Sequence, residues 1–149
     1  MTEAPATTAP IVRSVEVGTT PERLFELLTD PAALVRWWPD VAELEPRLGG
    51  PVRMAFRGGE SVVTGEVTRY EPPHGLAFTW IRAESPDVTT HVDFTVTALA
   101  PGRSRVEVVH SGWAGAPLEL RPLHDAGWKH FLGCLADLAE GRPVHKSFP

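Results

Sequence analysis

Alternating apolar and polar positions along most of the chain predict an antiparallel β-sheet. Segment 11–17 is rich in β-branched residues, which favour a strand. Segments 41–47 and 51–57 flank Gly49-Gly50 and predict a hairpin, in which Val52, Met54 and Phe56 share the buried face. The remaining predicted strands are 60–71, 76–83, 89–99 and 105–113. Short turns between them favour a meander.

Helical patterns interrupt this alternation near both ends of the chain. Thr20 and Pro21 suit the start of a short helix, and Asp30-Pro31 ends it and begins a second one over 31–38. A long helix is predicted from about Leu118 to Glu140, with Gly141 suited to its C-terminal cap. Its apolar stripe contains Trp128, Phe131, Leu132, Leu135, Leu138 and Ala139, with His124 on the same side.

The order of elements is therefore one strand, two short helices, six strands and one long helix, which defines an α+β fold. A curved antiparallel sheet of this length needs a cover for its apolar concave face, and only the last helix is long enough. Gly127 interrupts that helix at a cost of about 1 kcal/mol relative to alanine. We expect it to allow a close approach of the helix to the sheet or to the short helices.

Composition is typical of one globular domain. The chain has 149 residues, of which 42% are hydrophobic, and a net charge of -5 that gives no reason to expect nucleic acid as partner. We assign residues 11–141 to one domain, 1–10 to a disordered tail and 142–149 to a loose tail. No apolar run suits a membrane span or signal peptide, and the single Cys134 fits a reducing cytoplasm.

Five stretches carry a resemblance to a known superfamily. They are "VEVGTTPERLFELLTDPAALVRWWP" (15–39), "LGGPVRMAF" (48–56), "GEVTRYEPPHGLAFTW" (65–80), "SRVEVVHSGW" (104–113) and "GWKHFLGCLADL" (127–138). Their order resembles the helix-grip fold of the START-like superfamily (also called SRPBCC or Bet v 1-like), in the branch of the activator of the heat-shock protein 90 ATPase. The resemblance implies a cavity between the sheet and the C-terminal helix that binds a small apolar molecule such as a lipid, polyketide or steroid.

Large side chains on the inner face are the candidates for the wall of that cavity. We expect Trp37 or Trp38, which lie about 100° apart on their helix, to form part of the wall, while core packing accounts for both equally well. His110 is either a satisfied core histidine or a polar anchor for a ligand. The complete predicted wall is Trp37, Trp38, Met54, Phe56, Trp80, Phe94, His110, Trp113, Trp128, Phe131 and Leu132.

Other polar residues give weaker signals. His91 and Asp93 alternate with buried positions, so we expect them on the outer face rather than as an acid–base pair. His130 and Cys134 lie one helical turn apart but supply two ligands, whereas a zinc site needs three or four. No nucleotide-binding or nucleophile motif is present, and we expect no metal and no cofactor.

Three functions remain open. The first is non-catalytic binding of a small hydrophobic ligand. The second is a cyclase or dehydratase acting on a polyketide-like substrate, for which the sequence offers His110, Arg53 and Tyr70. The third is stimulation of a chaperone ATPase, as the branch suggests. A homodimer is compatible with the sequence but not indicated by it.

Overall fold

A computed structural model describes residues 8–148 and shows one seven-stranded sheet with three helices. The strands are antiparallel to their neighbours and lie in the order β1-β7-β6-β5-β4-β3-β2. Their bounds are β1 Ile11–Val17, β2 Val41–Leu44, β3 Pro51–Phe56, β4 Ser61–Glu71, β5 Gly75–Arg82, β6 Thr90–Ala100 and β7 Arg103–Ser111. The predicted helix-grip α+β architecture is confirmed.

The two short helices are capped as their sequences predict. Helix α1, Pro21–Thr29, begins where the Thr20 hydroxyl accepts a hydrogen bond from a backbone N–H in the first turn. Asp30 ends α1 and caps α2, Pro31–Trp37, through a 3.0 Å bond from the N–H of Ala32. Helix α2 therefore follows α1 with a single residue, Asp30, between them.

Helix α3, Leu120–Ala139, covers the concave face of the sheet. It starts slightly later than the predicted position, so Pro122 lies in the first turn, where its missing N–H removes no helical bond. Gly141 follows with φ of 74° and forms the predicted C-terminal cap. The helix packs against β1, α1 and α2.

Strands β4 and β5 approach each other unusually closely at Gly65. A Cβ atom there would lie 1.8 Å from the carbonyl oxygen of Thr79, so no other residue fits without moving the backbone. The Thr79 hydroxyl accepts the N–H of Glu66 at 2.9 Å beside this contact. Glycine is therefore required at this point of the β4–β5 pair.

The segment after α3 differs from the expected loose tail. It has no regular structure, but Lys146 donates to the carbonyls of Val35 and Pro39 at 2.6 and 2.9 Å, and Phe148 packs on His130. We call residues 143–148 the C-terminal strap. At the other end, residues 1–7 of the predicted N-terminal tail lie outside the described residues, while Arg121 binds the carbonyls of Ala9 and Pro10.

Candidate functional site: a tryptophan-walled cavity

A cavity of about 440 Å³ lies between α3 and strands β3, β4 and β5. Its wall contains five predicted residues, which are Trp38, Phe56, Trp80, Trp128 and Phe131. Its remaining lining residues are Asp40, Arg57, Ser61, Val63, Arg82, Leu123, His124, Gly127, Lys146, Ser147 and Phe148. Aromatic rings therefore form the interior, and polar side chains occur mostly at the rim.

Trp38 is the centre of the aromatic wall. Its ring stacks on Trp80, with 5.4 Å between the ring centroids and 5° between the ring planes. It also stacks on Trp37, with the centroids again 5.4 Å apart. Trp128 meets it at 4.9 Å. Trp38 is the C-terminal cap of α2, Trp80 lies in β5 and Trp128 lies in α3. The cluster therefore connects the sheet with both helices.

The other predicted wall residues lie in the core behind this surface. Trp37 is fully buried and donates its indole N–H to the carbonyl of Leu27 at 2.9 Å. Phe94 packs edge-on against Trp128, which lines the cavity, whereas Phe94 does not. The residues that do not line the cavity are Trp37, Met54, Phe94, His110, Trp113 and Leu132.

His110 is a satisfied core histidine and does not line the cavity. Its Nδ1 accepts the indole N–H of Trp128 at 3.0 Å, and its Nε2 lies 2.7 Å from the hydroxyl of Thr90. An indole N–H can only donate, so Nδ1 carries no proton and Nε2–H donates to Thr90. The Thr90 hydroxyl in turn donates to the carbonyl of Trp80 at 3.3 Å. Every polar atom of the imidazole is therefore used within the fold.

Electrostatics agree with this neutral assignment. Burial, followed by the nearby imidazoles of His124 and His91, holds the pKa of His110 well below its ordinary value of 6.5. Trp113, which the sequence placed in the wall, instead donates its indole N–H to the His110 carbonyl at 2.8 Å. Sequence alternation placed His110 on the correct face of the sheet but could not show that it does not line the cavity.

His124 is the histidine that lies in the cavity wall. Its Nδ1–H donates to the Leu120 carbonyl at 2.8 Å, which leaves Nε2 to accept the indole N–H of Trp80 at 3.2 Å. Burial lowers the pKa of His124 despite the opposing effect of the Leu120 carbonyl, and Arg82 lowers it further. The position of His124 on the apolar stripe of α3 was the sequence signal that could have placed it in the wall.

Three elements meet at the rim of the cavity. The Asp40 carboxylate, just after α2, accepts the backbone N–H of Gly58 at 2.9 Å and lies 3.7 Å from Lys146 of the C-terminal strap. Arg57 directly follows β3 with φ of 54°, so the strand alternation stops before it, and Arg57 lies in the rim. Alternation alone would place Arg57 outside, so no simple sequence pattern reveals its position.

The C-terminal strap supplies the remaining part of the rim. Phe148 packs against Phe131 and His130, with ring centroids 5.8 and 5.3 Å apart. His130 also binds the carbonyl of Lys146 at 3.0 Å. The apolar character of Val144 and Phe148 in a polar segment is the signal that could have indicated this packing.

Gly127 serves a purpose different from the one expected. The nearest atom to a Cβ built at this position is Cε2 of Phe148, at an ordinary contact distance of 4.0 Å. Neither the sheet nor the short helices approach it that closely, so the predicted close backbone approach is wrong. Gly127 lines the cavity, and the missing side chain leaves space there.

The other candidate residues do not converge on the cavity. His91 is exposed and Asp93 binds Arg69 at 2.6 Å, which confirms that both lie on the outer face. Arg53 is exposed, 3.8 Å from Glu43, and Tyr70 packs against α1 through Phe25. Neither lines the cavity, so the three groups offered for a cyclase do not meet there.

Cys134 lies 3.7 Å from His130 beneath the strap. Within residues 8–148, no group of three or more His, Cys, Asp or Glu side chains has a metal-binding arrangement. The same part of the chain contains no helix that is long and apolar enough to cross a membrane.

Fold and cavity together define a helix-grip protein of the START-like superfamily. The family model described as Activator of Hsp90 ATPase homolog 1-like protein matches residues 18–140. The chain belongs to this family. The uncharacterized protein Rv2574 of Mycobacterium tuberculosis is 28% identical over 148 residues, covering 91% of this chain and 88% of the relative.

Two solved structures show the same fold. DynU16, from the dynemicin biosynthetic locus, is 26% identical with a TM-score of 0.78 over 92% of this chain, which spans 50% of that protein's length. The Aha1 dimer from Colwellia psychrerythraea is 22% identical with a TM-score of 0.75, covering 89% of this chain and 97% of that one. At that identity the second structure supports the fold alone.

Proposed function

We propose that this protein binds a small hydrophobic ligand in the cavity between the sheet and α3, without catalysing its conversion. The observation that carries the proposal is a cavity of about 440 Å³ walled by Trp38, Trp80 and Trp128. Sites for small molecules commonly measure about 300–1,000 Å³ and combine an apolar wall with a few polar groups. The aromatic interior and polar rim of this cavity have that composition.

The hydrogen bonds that the histidines make within the fold support binding rather than catalysis. General acid–base catalysis needs a titratable group within hydrogen-bond reach of the substrate. Both ring nitrogens of His110 and both of His124 already have partners in the fold. The Asp40 carboxylate is likewise occupied by Gly58 and Lys146. Apolar burial, at about 25 cal/mol per Å² before the costs of association, would then supply the affinity.

A cavity-filling variant tests the proposal. The probe is N-phenyl-1-naphthylamine, a neutral dye that fluoresces when it enters an apolar site. Gly127→Leu places a side chain in the cavity, whereas Gly133→Leu is the matched control, because Gly133 is exposed on the same helix with no atom within 4 Å of its Cβ position. We expect saturable one-to-one binding to the natural protein and to the control, and at least tenfold weaker binding to Gly127→Leu.

Equal affinity of the two variants would place the dye elsewhere and contradict the proposal. Native and denaturing mass spectrometry of the purified protein complements the titration. A stoichiometric small molecule that is lost on denaturation supports the proposal and gives the mass of the ligand.

The family match favours a second candidate, stimulation of a chaperone ATPase. Its test is the ATPase rate of purified Hsp90 with increasing amounts of this protein. A saturable rise in that rate supports the second candidate. If Gly127→Leu stimulates the ATPase as the natural protein does, the stimulation does not depend on the cavity. An unchanged rate contradicts it.

A further inference from the structure

Trp38 carries an unpaired hydrogen-bond donor in the cavity wall. Four of the five indole N–H groups donate to a carbonyl or an imidazole, whereas that of Trp38 has no partner among residues 8–148. In the same residues no buried side-chain nitrogen or oxygen lacks a partner, so the Trp38 N–H is not sealed in the core. Trp38 lines the cavity, and we take the cavity as the place where this N–H meets a ligand.

The rim of the cavity is basic although the chain is acidic overall. The cations Arg57, Arg82 and Lys146 line it with a single carboxylate, Asp40, whereas the net charge of the chain is -5. We call these three cations the basic rim. Such a local excess of positive charge attracts anions by concentrating the field at a low-dielectric wall.

The three cations differ in how far the fold already neutralises them. Lys146 donates to two carbonyls and lies near Asp40, and Arg82 pairs with Glu84 at 2.9 Å. The guanidinium of Arg57 makes no hydrogen bond and no ion pair within the described part of the chain. Its neighbour Asp40 is held by the backbone of Gly58 and by Lys146 instead. Arg57 therefore remains free to bind an external anion.

From these observations we infer that the ligand carries an anionic head group, such as a carboxylate, which binds Arg57 at the rim, while Trp38 donates to an oxygen of the ligand inside the cavity. This inference rests on the proposed function and specifies its ligand class, an amphipathic organic anion. A guanidinium suits this role because its planar donors match two oxygens of an anion. The hydroxyls of Ser61 and Ser147, which also line the cavity, are further donors for a ligand.

A matched pair of dyes tests the inference. 8-Anilino-1-naphthalenesulfonate has the ring skeleton of N-phenyl-1-naphthylamine and adds one sulfonate, so the ratio of their dissociation constants reports the contribution of the anion. We expect Arg57→Gln to weaken binding of the sulfonate about three- to tenfold more than binding of the neutral dye, the range of one exposed charge-assisted contact. Added salt should reduce the preference for the sulfonate in the natural protein.

Two further variants define the controls. Arg36→Gln removes the same charge from the exposed face of α2, where Arg36 does not line the cavity, and we expect it to leave the ratio unchanged. Arg57→Lys keeps the charge and should retain most of the preference. Trp38→Phe, which keeps an aromatic ring but removes the N–H, tests the inner contact. We expect it to weaken displacement of the dye by 6-oxodecanoate, which carries an inner oxygen, more than displacement by decanoate, and an equal effect on the two acids would contradict that contact.

The outcomes separate the inference from the function on which it rests. A ratio that falls in Arg57→Gln but not in Arg36→Gln supports the inference. A second outcome is that both dyes bind, that Gly127→Leu blocks their binding, and that the ratio in Arg57→Gln equals that in the natural protein. This outcome overturns the inference but leaves the hydrophobic cavity as a binding site. Absence of saturable binding for either dye overturns both.

Discussion

The buried imidazole of His110 should make the stability of the protein depend on pH. In the folded state both ring nitrogens are paired, and burial holds the pKa of His110 below its ordinary value of 6.5. The unfolded chain returns the group to that ordinary value. Below pH 6.5 the unfolded state binds a proton that the folded state does not. The stabilising contribution of neutral His110 is therefore complete above pH 6.5 and is lost as the pH falls.

The magnitude follows from the linkage relation. Each pH unit below 6.5 over which His110 stays neutral in the folded state costs about 1.4 kcal/mol of stability for this one group. His124, whose pKa is also lowered by burial, adds to the loss in the same direction. Carboxylates contribute little in this range because they titrate mainly below it.

Urea unfolding followed by near-ultraviolet circular dichroism measures the effect across this pH range. His110→Gln should lose about 1–3 kcal/mol at neutral pH, because it disturbs the partners of Trp128 and Thr90, and should also show a shallower pH dependence than the natural protein. His145→Gln, at an exposed side chain, is the control and should retain the natural pH dependence. An unchanged pH dependence in His110→Gln would refute the assignment of His110 as a neutral, hydrogen-bonded core residue.

Three smaller predictions follow from the same structure. Gly127→Ala and Gly133→Ala should each stabilise α3 by up to about 1 kcal/mol, as measured by thermal unfolding. Only Gly127→Ala should weaken dye binding, and equal effects of the two variants on binding would contradict the cavity position of Gly127. Removal of residues 143–149 should speed labelling of buried Cys134 by a thiol reagent at least tenfold, and an unchanged rate would show that the strap does not cover it. Trp37→Phe should cost about 1 kcal/mol by leaving the Leu27 carbonyl unpaired, with dye affinity preserved, since Trp37 lies behind the cavity wall; weaker binding would contradict that placement.

Local signals account for the success of the sequence in predicting the fold. Thr20, Asp30 and Gly141 act as caps through bonds to neighbouring backbone groups, and these bonds depend on a few adjacent residues. Strand alternation likewise depends only on which face of the sheet is buried. Element order and bounds could therefore be predicted to within a few residues along the described chain.

The composition of the cavity wall depends on distances that no local pattern encodes. Alternation places His110 and Phe94 on the inner face, but the cavity is lined by Trp128, which contacts both, and not by either of them. Lys146 reaches the rim across more than a hundred positions of sequence, through the carbonyls of Val35 and Pro39. The sequence could thus predict which residues face inward, and not which of them form the surface of the cavity.

The tryptophan hydrogen bonds explain why this cavity persists in a core that could otherwise collapse. An indole ring held by its N–H cannot rotate into an adjacent space without losing that bond. Trp80 and Trp128 are held in this way by His124 and His110, and these imidazoles are in turn held by the Leu120 carbonyl and the Thr90 hydroxyl. Within residues 8–148, Trp38 alone among the five indoles has no such bond. A wall fixed at two rings, with the third ring retaining a free donor, favours ligands that place an oxygen beside Trp38.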